Sequence, residues 1–244
     1  MPYRYEKKVL TRYLSFSKLV AMLELGLFIP RASLFDDQLE GLLQFTSTAT
    51  APTSVSSRDL KILRDWMYVS CWYDDQHESH AMWQIYGNSH ESLAIQTTTH
   101  DLTVASWSLP GQHHVLFGQV RYAVPGNIDD FKPEGITVLT NHVQPTGFTP
   151  SYAAHSLFVK HKGYEFENEM RLVVLDPNAS TMTKNSSPGK YFSAEASQNL
   201  IQKIFVHPLA PEWFEETVHC LIKRFGLNAK VERSSLSHKH LVAS

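Results

Sequence analysis

Apolar residues recur along this chain at two different spacings. A spacing of three and four residues predicts helices over Tyr13–Gly26, Ser57–Met67, His77–Tyr86 and Pro211–Phe225. Short apolar or alternating runs predict strands over Tyr68–Trp72, Leu93–Thr97, Val115–Val124, Glu169–Leu175, Ile201–Val206 and Ala229–Arg233, and Phe28–Pro30 is predicted to be a short extended piece. The helices do not alternate regularly with the strands. The pattern therefore predicts the α+β class, with an antiparallel or mixed central sheet and flanking helices.

The predicted elements fill most of the 244 residues. Hydrophobic residues make up 43% of the chain and aromatic residues 11%, which is enough to form a core. We therefore expect a single domain over residues 1–236 and a flexible tail over 237–244. Thr46–Ser57 is polar and poor in large apolar residues, so it is predicted to be a dispensable loop.

Composition excludes several classes of protein. A formal net charge of −2 gives no overall basic field that would attract nucleic acid. The two cysteines, Cys71 and Cys220, have no CxxC spacing, which argues against a zinc ribbon and fits a reducing compartment. No signal peptide and no membrane-spanning run are evident, so we expect a cytoplasmic protein without a membrane partner. The 13 histidines are scattered or paired without a third ligand, and no metal site is predicted.

The most distinctive stretch is Lys160–Arg171, which carries glutamate at 165, 167 and 169. In a strand, this period of two would place all three carboxylates on one face beside Arg171. Lys160, Lys162 and Arg171 could neutralise them. Such a group of charges is either a binding or catalytic site or a salt-bridged surface strand.

Other candidate residues each have a structural and a functional interpretation. Asp37 and Glu40 flank a predicted turn, where Asp37 is also typical of a helix cap. Trp83 and Tyr86 share a helix face that is typical of a core and would bind a ligand only beside a pocket. Cys71 lies within an apolar run, which favours a buried and unreactive thiol. No glycine-rich nucleotide loop, GxSxG or HExxH motif is present.

An ordered set of short motifs resembles the bacterial and phage family called domain of unknown function 2971, some of whose members are labelled abortive phage-resistance proteins. The set consists of Arg12-Tyr13, Leu25-Gly26-Leu27, Phe35-Asp36-Asp37 with Glu40-Gly41, Val69–Trp72, Met82-Trp83 with Tyr86, and Lys160 with Tyr164, Glu167, Glu169 and Arg171. The chain departs from the family at Gln38, where proline is expected, at Asp36, where asparagine is expected, and at Tyr164, where tryptophan is commoner. The resemblance covers residues 10–236 and implies no particular activity.

A second resemblance is to toxin-type ADP-ribosyltransferases. That family has an aromatic–arginine pair on its first strand, a serine on a second strand and a Glu-x-Glu strand. Arg12-Tyr13, Ser70 and Glu167-Asn168-Glu169 occur in this order here. The resemblance implies that Glu169 holds the ribose of NAD, that Glu167 assists the acceptor, and that Arg12 or Arg171 binds phosphates.

The leading hypothesis is therefore a cytoplasmic phage-defence or toxin-like effector that uses NAD as a substrate. Its predicted catalytic residues are Glu169, Glu167 and Arg171, and its predicted substrate-binding residues are Arg12, Tyr13, Asp37, Glu40, Ser70, Trp83, Tyr86 and Lys160. The expected partner is a small-molecule nucleotide. The sequence does not predict which macromolecule would be the target. One alternative is a metal-dependent nuclease or phosphodiesterase with Asp37, Glu167 and Glu169 around a divalent cation. The other is a non-enzymatic sensor or binding module.

Overall fold

The structure is a computed structural model that describes residues 7–35, 61–111, 113–124, 136–138, 154–176, 178 and 185–237. Asp37, Glu40 and the loop Thr46–Ser57 lie outside these residues. The predictions made for them stay predictions.

The described residues form helices and strands in mixed order. The α-helices are α1 (Phe16–Leu25), α2 (His80–Tyr86), α3 (Thr99–Ser106), α4 (Ala194–Asn199) and α5 (Glu212–Arg224). Shorter 3-10 helices span Ala32–Leu34, Arg64–Trp66, Ser156–Phe158 and Lys162–Glu167. The strands are β1 (Val9–Ser15), β2 (Phe28–Pro30), β3 (Met67–Tyr73), β4 (Ser92–Thr98), β5 (His114–Gln119), β6 (Arg121–Ala123), β7 (Thr137–Val138), β8 (Val159–His161), β9 (Glu169–Leu175), β10 (Gly189–Tyr191), β11 (Lys203–Val206) and β12 (Lys230–Arg233).

Contacts between Cα atoms divide the chain into two compact units. Unit 1 comprises Met1–Leu27, Trp72–Ser108 and Tyr191–Ser244. Unit 2 comprises Phe28–Cys71 and Leu109–Lys190. The expected single domain over residues 1–236 and the tail after it stay predictions.

Unit 1 contains a mixed sheet. Its strand order is β12-β11-β4-β1, followed by the end of β3, where Tyr73 pairs with Thr11. The β11–β12 pair is parallel, and the other pairs are antiparallel. Helix α1 ends at Gly26, where φ is +100° and an added Cβ would lie 1.9 Å from the carbonyl oxygen of Phe192. Glycine is therefore required at this position.

Unit 2 contains strands in the order β3-β9-β5-β7. Strand β9 is buried along its whole length, and its run of Leu172, Val173, Val174 and Leu175 is typical of a central strand. It pairs antiparallel with β5, so that Gly118 lies opposite Arg171. Two short pairs, β2 with β10 and β6 with β8, complete the described part of the unit. The β6–β8 pair is parallel and sets Tyr122 opposite Lys160.

The predicted α+β class with a mixed sheet is confirmed, but several boundaries are wrong. The helix predicted from Tyr13 begins at Phe16, because Tyr13 belongs to β1 and the Ser15 side chain caps α1 by accepting from Lys18 N. The strand predicted over Val115–Val124 breaks at Val120, whose N–H donates to Glu169 O at 2.8 Å. Helices α3 and α4 were not predicted. Within the described residues, no helix combines the length and hydropathy that crossing a membrane requires.

Candidate functional site

The stretch before β9 is not a strand. Lys162–Glu167 forms a 3-10 helix, and Asn168 then adopts the left-handed conformation, with φ 37° and ψ 58°. Strand β9 begins only at Glu169. The prediction that all three glutamates share one strand face is therefore wrong, because Gly163 and Asn168 favour turns over strands. Glu165 is exposed, whereas Glu167 and Glu169 are each 4% exposed.

This turn brings two carboxylates to one ammonium group. Lys160 Nζ, on β8, donates to Glu169 Oε1 at 3.0 Å and also donates to Glu167 Oε2. The same Nζ lies 4.5 Å from the centre of the Tyr164 ring, where an ammonium is attracted by the π-electrons. The Lys160 stem is buried with its head group. The predicted association of Lys160 with Glu167 and Glu169 is thus present in the structure.

Arg171 holds the second carboxylate from the other side. Its Nε donates to Glu169 Oε2 at 2.7 Å and its Nη2 donates to Glu169 Oε1 at 2.9 Å, which is a bidentate pair. Its Nη1 donates to the carbonyl oxygen of Leu157 at 2.6 Å. Arg171 is 1% exposed. We call Lys160, Glu167, Glu169 and Arg171 the charge cluster.

With both carboxyl groups ionised, the charge cluster has no net charge, and its four side chains are almost fully removed from water. Removing one member of such a buried network leaves an uncompensated charge, which costs roughly 3–5 kcal/mol. A pair of apolar residues at the same positions would often be no less stable. Stability alone therefore does not explain why the chain places four charged residues here.

The two carboxyl groups have opposite proton affinities. Burial, together with the neighbouring Glu169 carboxylate, raises the pKa of Glu167 to about 7. Burial would also raise the pKa of Glu169, but the charge and hydrogen bonds of Arg171 hold it well below its ordinary value. Near neutral pH, Glu169 is therefore ionised, while Glu167 exchanges a proton readily.

A polar cleft of about 290 Å³ lies beside the cluster in unit 2. It is lined by Gln119, Val120, Arg121, Tyr122, Glu165 and Asn168. The Tyr122 hydroxyl accepts from the backbone N–H of Glu169 at 2.8 Å, so the wall of the cleft contacts the start of β9. Burial raises the pKa of Tyr122, which keeps its hydroxyl protonated and able to donate. Tyr122 could not be predicted from the sequence, since its place depends on the pairing of β6 with β8.

The raised pKa of Glu167 predicts that stability falls as the pH rises. A carboxyl group with a raised folded-state pKa contributes stability that is fully present below its ordinary pKa of 4.5 and is lost as the pH passes about 7. We expect the melting temperature of Glu167→Gln, relative to the unmodified protein, to rise by roughly 5–10 °C between pH 5 and 8. Glu165→Gln, which alters an exposed glutamate nearby, is the control. Parallel melting curves for Glu167→Gln and the unmodified protein would contradict this prediction.

The other described candidates in unit 1 lie near aromatic side chains. Arg12 lies over the Trp72 ring, with Cζ 5.7 Å from the ring centre. The Tyr13 hydroxyl accepts from Ser79 N at 2.8 Å, and its ring packs against Trp83 at 4.9 Å between centres. Trp83 is fully buried and donates from Nε1 to Glu78 at 3.0 Å, whereas Tyr86 is 43% exposed. These two residues do not form one buried face, and the predicted roles of all four residues in substrate binding stay predictions.

Ser70 and the metal alternative concern unit 2. Ser70 is fully buried in β3, and its predicted role in substrate binding stays a prediction. Among the residues that the structure describes, no group of three or more His, Cys, Asp or Glu side chains could hold a metal ion. Asp37, the third ligand in the nuclease alternative, lies outside those residues.

Comparison with known proteins gave matches to solved structures alone. No family model matches the chain, so membership of domain of unknown function 2971 stays a prediction. No curated protein matches it either. The chain is similar to DarT of Thermus sp. 2.9 in complex with NAD+, with a TM-score of 0.41, 13% identity, and coverage of 95% of this chain and 97% of that chain.

Two further DarT structures from the same organism give similar values. The complex with carba-NAD+ has a TM-score of 0.42 and 12% identity, covering 96% of this chain and 98% of that chain. The complex with ADP-ribosylated ssDNA has a TM-score of 0.41 and 13% identity, covering 95% of this chain and 96% of that chain. Structural similarity with so low a TM-score and sequence identity supports no conclusion about the activity of this chain.

Proposed function

We propose that the protein is an NAD-consuming enzyme of the ADP-ribosyltransferase type. It would cleave the bond between nicotinamide and ribose in NAD and transfer the ADP-ribosyl group to an acceptor. The observation that supports this most directly is the pair of buried carboxyl groups with opposite proton affinities around Lys160. Pairs of titratable groups with divergent pKa values are typical of acid–base sites.

Glu169 is proposed as the carboxylate that stabilises the transition state. As the C–N bond breaks, nicotinamide leaves with the bonding electron pair and positive charge develops on the ribose. A carboxylate that stays ionised and is held rigidly is suited to stabilise that charge or to bind the ribose 2′-hydroxyl. Arg171 and Lys160 fix the Glu169 side chain through three hydrogen bonds. This supports an orienting role for both cations.

Glu167 is proposed as the general base for the acceptor. The acceptor atom bonds to C1′ of the ribose, and its proton goes to the Glu167 carboxylate. A pKa of about 7 suits this task, because the group is partly ionised at neutral pH and still accepts a proton. With water as the acceptor, the same steps would make the protein an NAD glycohydrolase. The setting in phage defence follows from the family resemblance and stays a prediction.

The proposal is tested by incubating the purified full-length chain with NAD and measuring released nicotinamide by chromatography. Release that is lost in Glu169→Gln and unaffected by a chelator supports the proposal. No release, with or without added cell extract as a source of acceptor, contradicts it. Cleavage of nucleic acid that requires magnesium or manganese would support the nuclease alternative instead.

NAD should also stabilise the folded protein. A ligand present at 100 times its Kd stabilises the native state by about 2.7 kcal/mol, which corresponds to roughly 5–10 °C for a chain of this size. We expect the melting temperature to rise with NAD and to stay constant with EDTA. AMP, which lacks the nicotinamide ribose, is the matched ligand control and should give a smaller shift. An unchanged melting temperature at millimolar NAD would count against binding.

A further inference from the structure

Asn168 stands between the two carboxylates in an uncommon backbone conformation. Among the described residues other than glycine, it alone has a positive φ, at 37°. Asparagine tolerates this left-handed region better than most residues, yet the region is costly for any residue with a Cβ. Such strain persists where the surroundings hold it in place, and it is often found at functional sites.

The contacts around Asn168 hold that conformation. Its backbone N–H donates to the carbonyl oxygen of Glu165 at 3.2 Å, which closes the 3-10 helix. Its side-chain Oδ1 accepts from Gln119 Nε2 at 3.2 Å, from the end of β5. The next residue, Glu169, is fixed by the hydrogen bonds of its backbone N–H to Tyr122 and its carbonyl to Val120. The turn is thus held on both sides by hydrogen bonds.

The consequence of the turn is a change in side-chain direction. In a continuous strand, residues 167 and 169 would have parallel side chains about 7 Å apart at Cα. Here Glu167 ends a 3-10 helix and Glu169 begins a strand, yet both carboxylates bind the same Lys160 Nζ. The one residue between them is Asn168.

We infer that Asn168 is a positioning residue of the proposed active site, and that its left-handed backbone, rather than its amide group, brings Glu167 and Glu169 together on Lys160. The catalytic meaning of this inference rests on the proposed function. The geometry itself does not, because the proximity of the two carboxyl groups can be measured without any activity.

The test compares Asn168→Gly with Asn168→Ala. Glycine adopts the left-handed conformation without a Cβ penalty, whereas alanine favours other backbone regions. The titration of Glu167 is followed by carbon NMR of glutamate labelled at the side-chain carboxyl, with Glu167→Gln to assign the signal. Thr98→Ala, which removes the N-cap of α3 in unit 1, is the control for a general loss of stability.

Asn168→Gly should leave the pKa of Glu167 within about 0.3 units of its value in the unmodified protein. Asn168→Ala should lower that pKa by about one unit or more, towards the value of an exposed glutamate. Thr98→Ala should leave it unchanged. The inference would be overturned if the pKa of Glu167 were the same in all variants, or if it shifted equally in Asn168→Gly and Asn168→Ala. If Asn168→Ala does not fold, the glycine variant decides: an unchanged titration supports the inference and a lowered one overturns it.

Activity gives a readout that separates this inference from the proposed function. If the protein cleaves NAD, Asn168→Ala should shift the acidic limb of the pH–rate profile, which a general base sets, to lower pH, and Asn168→Gly should leave that limb in place. If the protein does not cleave NAD, the NMR titrations still test the positioning role. Failure of the enzyme hypothesis and failure of the positioning hypothesis are therefore distinguishable.

Discussion

Replacing Glu169 with glutamine is expected to lower the rate of NAD cleavage by about 100-fold or more, a typical loss when one preorganised electrostatic group is removed. Glutamine keeps the size of the side chain but removes the negative charge that would face the developing cation. The measurement is nicotinamide release per folded molecule, at a temperature where circular dichroism shows the variant to be folded. A variant that retains half of the unmodified rate would exclude a catalytic role for Glu169.

Glu169→Gln should also lower the stability of the folded protein. Glu169 accepts hydrogen bonds from Arg171 and Lys160, both buried, so a neutral replacement leaves those cations less compensated. Leu116→Ala is the matched control, since it removes a fully buried side chain from the core of unit 2 and costs a similar 2–5 kcal/mol. We expect Leu116→Ala to retain its rate while folded.

Strand β9 could be predicted from the sequence, but the arrangement of the charge cluster could be predicted only in part. The run Leu172–Leu175 is apolar and includes two β-branched valines, and both boundaries of β9 agree with the sequence prediction. In residues 162–168, the alternating glutamates imitate a strand although the segment is a 3-10 helix and a turn. Gly163 and Asn168 were the local signals against a strand, because both residues are depleted in strands.

The partners of the cluster depend on contacts between segments that are distant in sequence. Tyr122 reaches the backbone of Glu169 across 47 positions, and Gln119 reaches Asn168 across 49. Neither Tyr122 nor Gln119 belongs to a sequence motif, so no pattern in the sequence indicates that it contacts the cluster. Burial was also not predictable, because a run with six charged residues in twelve is ordinarily solvated. Here Lys160 and Arg171 neutralise the glutamates, which allows all four side chains to leave water.

Replacing only Arg171 or only Glu169 should destabilise the protein much more than replacing both residues together. We expect Arg171→Met and Glu169→Leu each to lower the free energy of unfolding by roughly 3–5 kcal/mol, because each leaves one buried charge without its partner. The double variant should be less destabilised than either single variant, since it leaves only the Lys160–Glu167 pair, one positive and one negative charge. The carbonyl of Leu157 loses its donor in this variant, which accounts for a remaining cost of about 1–3 kcal/mol.

The measurement is a double-mutant cycle by urea unfolding, with the Lys203–Glu232 pair of unit 1 as the control. The Lys203 and Glu232 side chains are 32% and 27% exposed, and pairs of this kind couple by less than about 1 kcal/mol. For Arg171 and Glu169 we expect a coupling energy above roughly 3 kcal/mol. If the double variant folds and is stable but does not cleave NAD, the charges of Glu169 and Arg171 serve chemistry rather than stability. A coupling energy as small as that of the control would instead mean that water reaches the pair in solution and that burial does not set the proton affinities of the cluster.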